Sequence, residues 1–200
     1  MVTNGLPILI DQPITTNGEG DITIRATGGI ELNSFISTND GSILFRDDVE
    51  LGLEGASITA NGGDLTFQGR LNGFQDLSLR VGETVIFEEA VGDVNPLRRL
   101  AINAGNVETY DSVITSGAIA ISNADTITLR GDVTTNGGSF RVLESDRLTL
   151  DNSSISTSGG NFLYRNSDAL QIEGTGQLIT AGGNIRLRGS EVSVDGAIAL

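Results

Sequence analysis

The sequence predicts an all-β chain wound as a parallel β-helix, a solenoid of about eight coils of ~22 residues with three short strands per coil. Three observations predict it: a short phrase that recurs at a fixed interval, hydrophobic alternation with a period of two, and glycine and asparagine at regular joints. The phrase is an aliphatic residue, one or two Thr or Ser, a small polar residue and usually Gly. Its copies start at Ile14 (ITTNG), Ile36 (ISTNDG), Ile58 (ITANGG), Val113 (VITSG), Val133 (VTTNGG), Ile155 (ISTSGG) and Leu178 (LITAGG). Successive starts keep one nearly constant period, except that the step from Ile58 to Val113 is more than twice as long as the others.

The long step divides if a degenerate copy starts near Ala90. Leu77, Leu79 and Phe87 are echoed one period later by Leu100, Ile102 and Tyr110, and Ala90 lies the same distance before Val113. This register places coil starts near positions 14, 36, 58, 90, 113, 133, 155 and 178. It also leaves one long coil, from 58 to 90, whose extra chain is expected at 68–76 (QGRLNGFQD). The domain organisation is then a lead-in over 1–13 and one repeat domain over 14–200.

Within each coil, Ile22/Ile24, Ile43/Phe45, Leu65/Phe67, Ile119/Ile121, Phe140/Val142, Phe162/Tyr164 and Ile185/Leu187 follow the phrase at matching positions. Such alternation puts one set of side chains on one face of a strand. A second alternating segment follows in most coils: Ile30/Leu32, Val49/Leu51, Ile127/Leu129, Leu148/Leu150, Leu170/Ile172 and Val192/Val194. Gly, Asn, Asp and Ser occupy the joints, where turns need positive φ or side-chain bonds to backbone. Equivalent strands are expected to pair in parallel about 4.8 Å apart. Like residues then stack on like, with Phe45, Phe67, Phe140 and Phe162 in one row. A leucine-rich-repeat horseshoe is the competing solenoid; only Leu97–Asn106 and Phe74–Val81 match its consensus.

Composition excludes several classes. The 200 residues hold 26 acidic and 12 basic side chains, a net charge of −14, with no His and no Cys. All 12 basic residues are Arg. Without His or Lys there is no imidazole base, Ser-His triad or Schiff-base lysine. Without Cys there is no disulfide or thiolate metal site. The acidic balance argues against nucleic acid and anionic membrane partners. No apolar run approaches the ~20 residues of a membrane span. Residues 1–13 lack the basic n-region and apolar core of a signal peptide. The last coil stops within an apolar stretch, Gly196–Leu200, so the chain reads as a segment of a longer protein.

The remaining candidate chemistry is sparse. Asp47, Asp48 and Glu50, the pair Glu88-Glu89, and Asp146 beside Arg147 are the carboxylate groupings for calcium or polysaccharide cleavage. Strand neighbours point to opposite faces, and these carboxylates do not recur in a calcium-ladder column. Thr16, Thr38, Thr115, Thr135, Thr157 and Thr180 align in the phrase, read as turn residues satisfying backbone groups rather than an exposed ice- or sugar-binding array. Glycine pairs such as Gly137-Gly138 lack the helix and Lys of a phosphate loop. Arg70 and Phe74, in the expected insertion, are the binding candidates, because loops on rigid scaffolds carry recognition. No catalytic residue, metal site or cofactor is assigned.

The stretch from Leu77 to Ser112, LSLRVGETVIFEEAVGDVNPLRRLAINAGNVETYDS, resembles the repeats of bacterial surface exoproteins of the filamentous haemagglutinin type. Its L-x-V-x-A-G, F-x-x-A-V-G and P-L-x-x-L-x-I-x-A elements correspond to Leu77–Gly82, Phe87–Gly92 and Pro96–Ala104. The resemblance implies a right-handed β-helical shaft of a secreted or cell-surface adhesin in Gram-negative bacteria, exported by two-partner secretion. Its implied partners are flanking β-helical segments, an outer-membrane transporter, and glycans or proteins on host or neighbouring cells. Asn95-Pro96-Leu97 lies mid-chain rather than near the start, which places this segment in the shaft. The alternative function is a carboxylate- and calcium-dependent polysaccharide-processing enzyme on the same fold.

Overall fold

A computed structural model describes residues 5–195 and the backbone of 197–199. Short strands repeat in threes around an apolar axis, and among the described residues the strands pair in parallel. Sheet two is nine strands deep, from Ile14–Thr16 to Ile185–Arg188. Sheet three is also nine deep, from Ile22–Ile24 to Val192–Val194. Sheet one runs Ile8–Ile10, Ile30–Leu32, Val49–Leu51 and Leu71–Asn72, then through bridges at Val91 to Val113–Thr115 and on to Ala197–Ala199. The chain is therefore a β-solenoid of eight turns between the first and last strands of sheet two.

Inward columns carry the cohesion. In sheet two Ile36, Ile58, Leu79, Ile102, Ile121, Val142 and Tyr164 succeed one another in register, each with 3% exposure or less. In sheet three Phe45, Phe67 and Phe87 stack with ring centroids 4.9 and 5.4 Å apart and planes within 10°. Burial of such columns stabilises by about 25 cal/mol per Å² of apolar surface removed from water. Ring stacking adds roughly 1 kcal/mol per pair.

The register differs from the sequence expectation in one consistent way. The phrase does not stay on one face. Its copies at Ile14, Ile36 and Ile58 lie in sheet two, and those at Val113, Val133, Ile155 and Leu178 lie in sheet one. The alternating segments move with it: Ile22/Ile24, Ile43/Phe45 and Leu65/Phe67 belong to sheet three, whereas Ile119/Ile121 through Ile185/Leu187 belong to sheet two. Hence the four phenylalanines do not form one row. Phe140 and Phe162 form their own stack in sheet two, with centroids 5.7 Å apart.

With the change of face, the long coil disappears. Ile58 pairs with Leu79, and Leu79 with Ile102, so each of these two coils has the ordinary length. The expected insertion at 68–76 contains a paired strand, Leu71–Asn72, in register with Val49 and Glu50. Extra chain sits instead at 92–96, where Val91 bridges to Val113 and Leu97 to Thr115. Asn72 holds this turn: its Oδ1 accepts from the amides of Val94 and Asn95, both at 3.1 Å. The expected coil start near Ala90 is one residue off, since Val91 pairs with Val113. Phe87 likewise pairs with Thr109, which leaves Tyr110 half exposed. Residues 8–10 of the expected lead-in already form a strand, paired with Ile30–Leu32. Gly196 and Leu200 of the terminal apolar stretch, and the side chains of 197–199, lie outside the described residues.

Thr109 continues the phenylalanine column of sheet three and is 2% exposed, and its Oγ1 has no hydrogen-bond partner. A buried unsatisfied hydroxyl costs about 1–3 kcal/mol. Thr109→Val keeps the shape and removes that penalty, so a urea melt should show a gain of about 1 kcal/mol. An unchanged or lowered midpoint would mean that the hydroxyl is satisfied.

Candidate functional site

Polar side chains pin the corners within rungs and cap backbone groups between them. Thr38 donates Oγ1 to the carbonyl of Gly41 at 2.6 Å and accepts from the Gly41 amide at 2.8 Å. Thr115 and Thr180 donate to Gly117 and Gly183 at 2.7 Å, and Thr135 and Thr157 bond Gly138 and Gly160 in the same way. All five are essentially buried. They act as corner pins, as expected, and present no exposed hydroxyl array. The aligned set is split, however: Thr16 and Thr38 end strands of sheet two, and Thr115 and Thr135 end strands of sheet one.

Carboxylates do the same work across rungs. Asp21 Oδ1 accepts from the Ser42 amide, Ser42 Oγ from the Asp64 amide, and Asp64 Oδ1 from the Thr84 amide, at 2.8, 3.1 and 2.9 Å. The sequence carries this device as a small polar residue directly before the first inward residue in the first six strands of sheet three, from Asp21 to Thr126. Asp47 caps the Ala26 amide and Asp48 the Arg70 amide, and Glu50 accepts from the Asn95 side chain. These acids are thereby drawn to different partners. Asp146 accepts from Asn166 at 3.0 Å, whereas Arg147 faces Glu173 at 3.6 Å, so the two sequence neighbours serve separate contacts. Glu88 accepts from Gln68 at 3.4 Å, and Glu88 and Glu89 are both exposed. Among the described residues no group of three or more acidic side chains is arranged to hold a metal ion.

Arg70 and Phe74 flank the buried strand Leu71–Asn72 rather than sharing a loop. Arg70 pairs with Asp93 at 3.4 Å, across the coil to the turn that Asn72 holds. Phe74 is 62% exposed at the corner from sheet one to sheet two. Phe35 and Leu53 stand exposed at the same corner of the two preceding coils. Beside this edge runs a groove of about 570 Å³ along the outer surface of sheet two, lined by Phe35, Glu54, Ser57, Asp76, Ser78 and Arg99 among others. Its floor is small side chains: Ser57, Ser78 and Ala101 succeed one another in register. Arg98 donates Nε–H to Asp76 Oδ1 at 2.8 Å, and this bond holds the Asp76 carboxyl below its usual value. A fixed carboxylate is the reverse of what a general acid requires. The groove offers an apolar edge, hydroxyls and one anchored ion pair, a surface suited to holding an extended ligand.

Tyr164 is a further titratable group with a marked environment. Its ring is fully buried, and its hydroxyl donates to the Ser145 carbonyl at 3.0 Å. Burial pushes its pKa from 10 up to about 12. The folded state therefore favours the protonated phenol. Its contribution is intact below pH 10 and is lost as pH rises from 10 toward about 12, on the order of 2 kcal/mol in total. Tyr164→Phe should cost about 1 kcal/mol at neutral pH through the unpaired carbonyl. It should also remove the alkaline loss, which stability measurements across that range would read.

A scan of protein-family models, a search of curated proteins and a search of solved structures each found no match to this chain.

Proposed function

We propose that this chain is a non-enzymatic structural and adhesive segment, the shaft of a secreted or cell-surface exoprotein of the filamentous haemagglutinin type. Its mechanism is reach with rigidity. Nine strands at about 4.8 Å per rung give a rod of about 40 Å whose every turn is buttressed by the next. The observation that carries the reading is the use of side chains. Asp21, Asp47, Asp48 and Asp64, which an enzyme would free for chemistry, instead cap amides on neighbouring rungs. The rod would extend between flanking β-helical segments, be exported through an outer-membrane transporter, and meet glycans or proteins of another cell.

The second reading, a calcium-dependent polysaccharide-processing enzyme, draws on Glu54 and Asp76 lining one groove. One experiment separates them. The purified chain is incubated with acidic polysaccharides, with and without calcium, while polymer length and thermal stability are followed. A shaft leaves the polymer intact and its melting temperature independent of calcium. Shortened polymer together with a calcium-dependent rise in melting temperature would establish the enzyme instead.

A further inference from the structure

Charge is unequally shared among the three sheets. The chain is acidic overall, at −14, yet the strands of sheet two carry six arginines and a single acid, Asp76. Among the described residues, the strands of the other two sheets carry one arginine, Arg147, and four glutamates. The six are Arg80, Arg99, Arg141, Arg165, Arg186 and Arg188, all exposed, on strands whose alternate residues face the core. The pairing register aligns the last four into two adjoining outward rows. One runs Arg141, Leu163, Arg186; the other Leu143, Arg165, Arg188.

Most of these cations make no direct ion pair. Of the six, only Arg165 reaches a carboxylate, Glu144 at 3.8 Å, among the described residues. Arg141 and Arg186 line a cleft of about 200 Å³ together with Ser139, Asn161 and Asn184. Asn161 turns its Oδ1 to the amide of Asn184 at 2.9 Å, an arrangement that leaves its NH₂ as a donor beside the two guanidiniums. Guanidiniums present rigid, fork-shaped donors suited to carboxylate and sulfate. Arg165 and Arg188 stand on adjacent rungs, about 4.8 Å apart along the axis and comparable to one sugar ring of an extended chain, whereas Arg141 and Arg186 stand two rungs apart, about two rings.

We propose that the outer surface of sheet two, from Arg141 to Arg188, binds an anionic polysaccharide laid along the rod axis. Carboxylates or sulfates would meet the arginines, and hydroxyls would meet Asn161, Asn184 and Ser139. Two features favour polysaccharide over nucleic acid. The strip lacks an exposed aromatic platform on which bases would stack. The acidic remainder of the rod also opposes the denser charge of nucleic acid. This inference rests on the adhesive reading in one respect, that the ligand is held and not cleaved.

The test is calorimetric titration of the full chain with polygalacturonate, dextran sulfate, uncharged dextran and single-stranded DNA at two salt concentrations. The anionic polysaccharides should bind, more weakly at high salt, and dextran should not. R141Q/R186Q/R188Q should lose about tenfold or more in affinity. R25Q/R46Q, which removes two exposed arginines beside sheet three that form no ion pair among the described residues, should lose nothing. If the triple variant does not fold, R141Q alone should still weaken binding measurably. Equal binding of dextran, tighter binding of DNA, or an equal loss in R25Q/R46Q would overturn the proposal. Absence of binding with polymer length unchanged rejects this surface and leaves the shaft reading standing. Binding followed by shortening of the polymer does the reverse.

Discussion

Replacing Phe67 with alanine is expected to destabilise the fold by about 4 kcal/mol. Phe67 is 1% exposed and stands between Phe45 and Phe87, with centroid separations of 4.9 and 5.4 Å. Its removal opens a cavity and breaks both stacks at once. The rungs on either side are held at the strand spacing by their backbone bonds, so the void cannot close by collapse. Phe74→Ala is the matched control: at 62% exposure its loss should change stability by less than about 0.5 kcal/mol. Urea unfolding of the two variants measures the contrast. Similar small shifts for both would show that the column does not bear the fold's stability.

Gly160→Ala is expected to cost about 3 kcal/mol, an effect of backbone proximity rather than conformation. A Cβ at Gly160 would lie 2.0 Å from the carbonyl oxygen of Gly138 on the preceding rung. Gly138 and Gly183 stand in the same relation to Gly117 and Gly160, at 2.1 and 1.9 Å. This column explains the second glycine of the repeated phrase: the corner of one rung rests on the backbone of another. Gly137, the first glycine of its pair, differs. Its φ is +84°, and a Cβ there meets nothing within 4 Å. Gly137→Ala should cost only the left-handed conformation, about 1 kcal/mol. Thermal melts of the two variants should therefore differ clearly, and equal losses would remove the packing explanation.

The same geometry accounts for what was legible in the sequence. Period, strand number per coil and inward alternation are local properties of Ile, Leu, Val and Phe in short runs, and they carried over. Leu77 with Leu100 and Leu79 with Ile102 were matched correctly because both ends of each pairing are apolar and stand one period apart. What failed was the assignment of faces. The phrase is a corner module in which Thr pins a Gly carbonyl, and Thr38 before sheet three does so much as Thr135 does before sheet two. Nothing in its chemistry records which corner it occupies. The long interval therefore suggests added chain at 68–76, whereas in the fold the phrase moves from sheet two to sheet one. Arg70 and Phe74 share a loop only on that premise; in the fold they stand on either side of a buried strand. The concentration of arginine on sheet two was likewise hidden, because Arg141, Arg165 and Arg186 become neighbours only once the rungs are stacked.

The absence of native cysteine allows the stacking register to be read directly by double-cysteine cross-linking. Ser57 and Ser78 are in-register partners on the outer surface of sheet two, on adjacent rungs. Their Cα atoms lie at about the 4.8 Å strand spacing, within reach of a disulfide. A long coil running from 58 to 90 would instead set Ser57 opposite Glu89. Under mild oxidation S57C/S78C should close to a disulfide nearly completely, and S57C/E89C should remain reduced. Closure of S57C/E89C with S57C/S78C left open would contradict the uniform rung stacking from which the ladders, the corner pins and the arginine surface all follow.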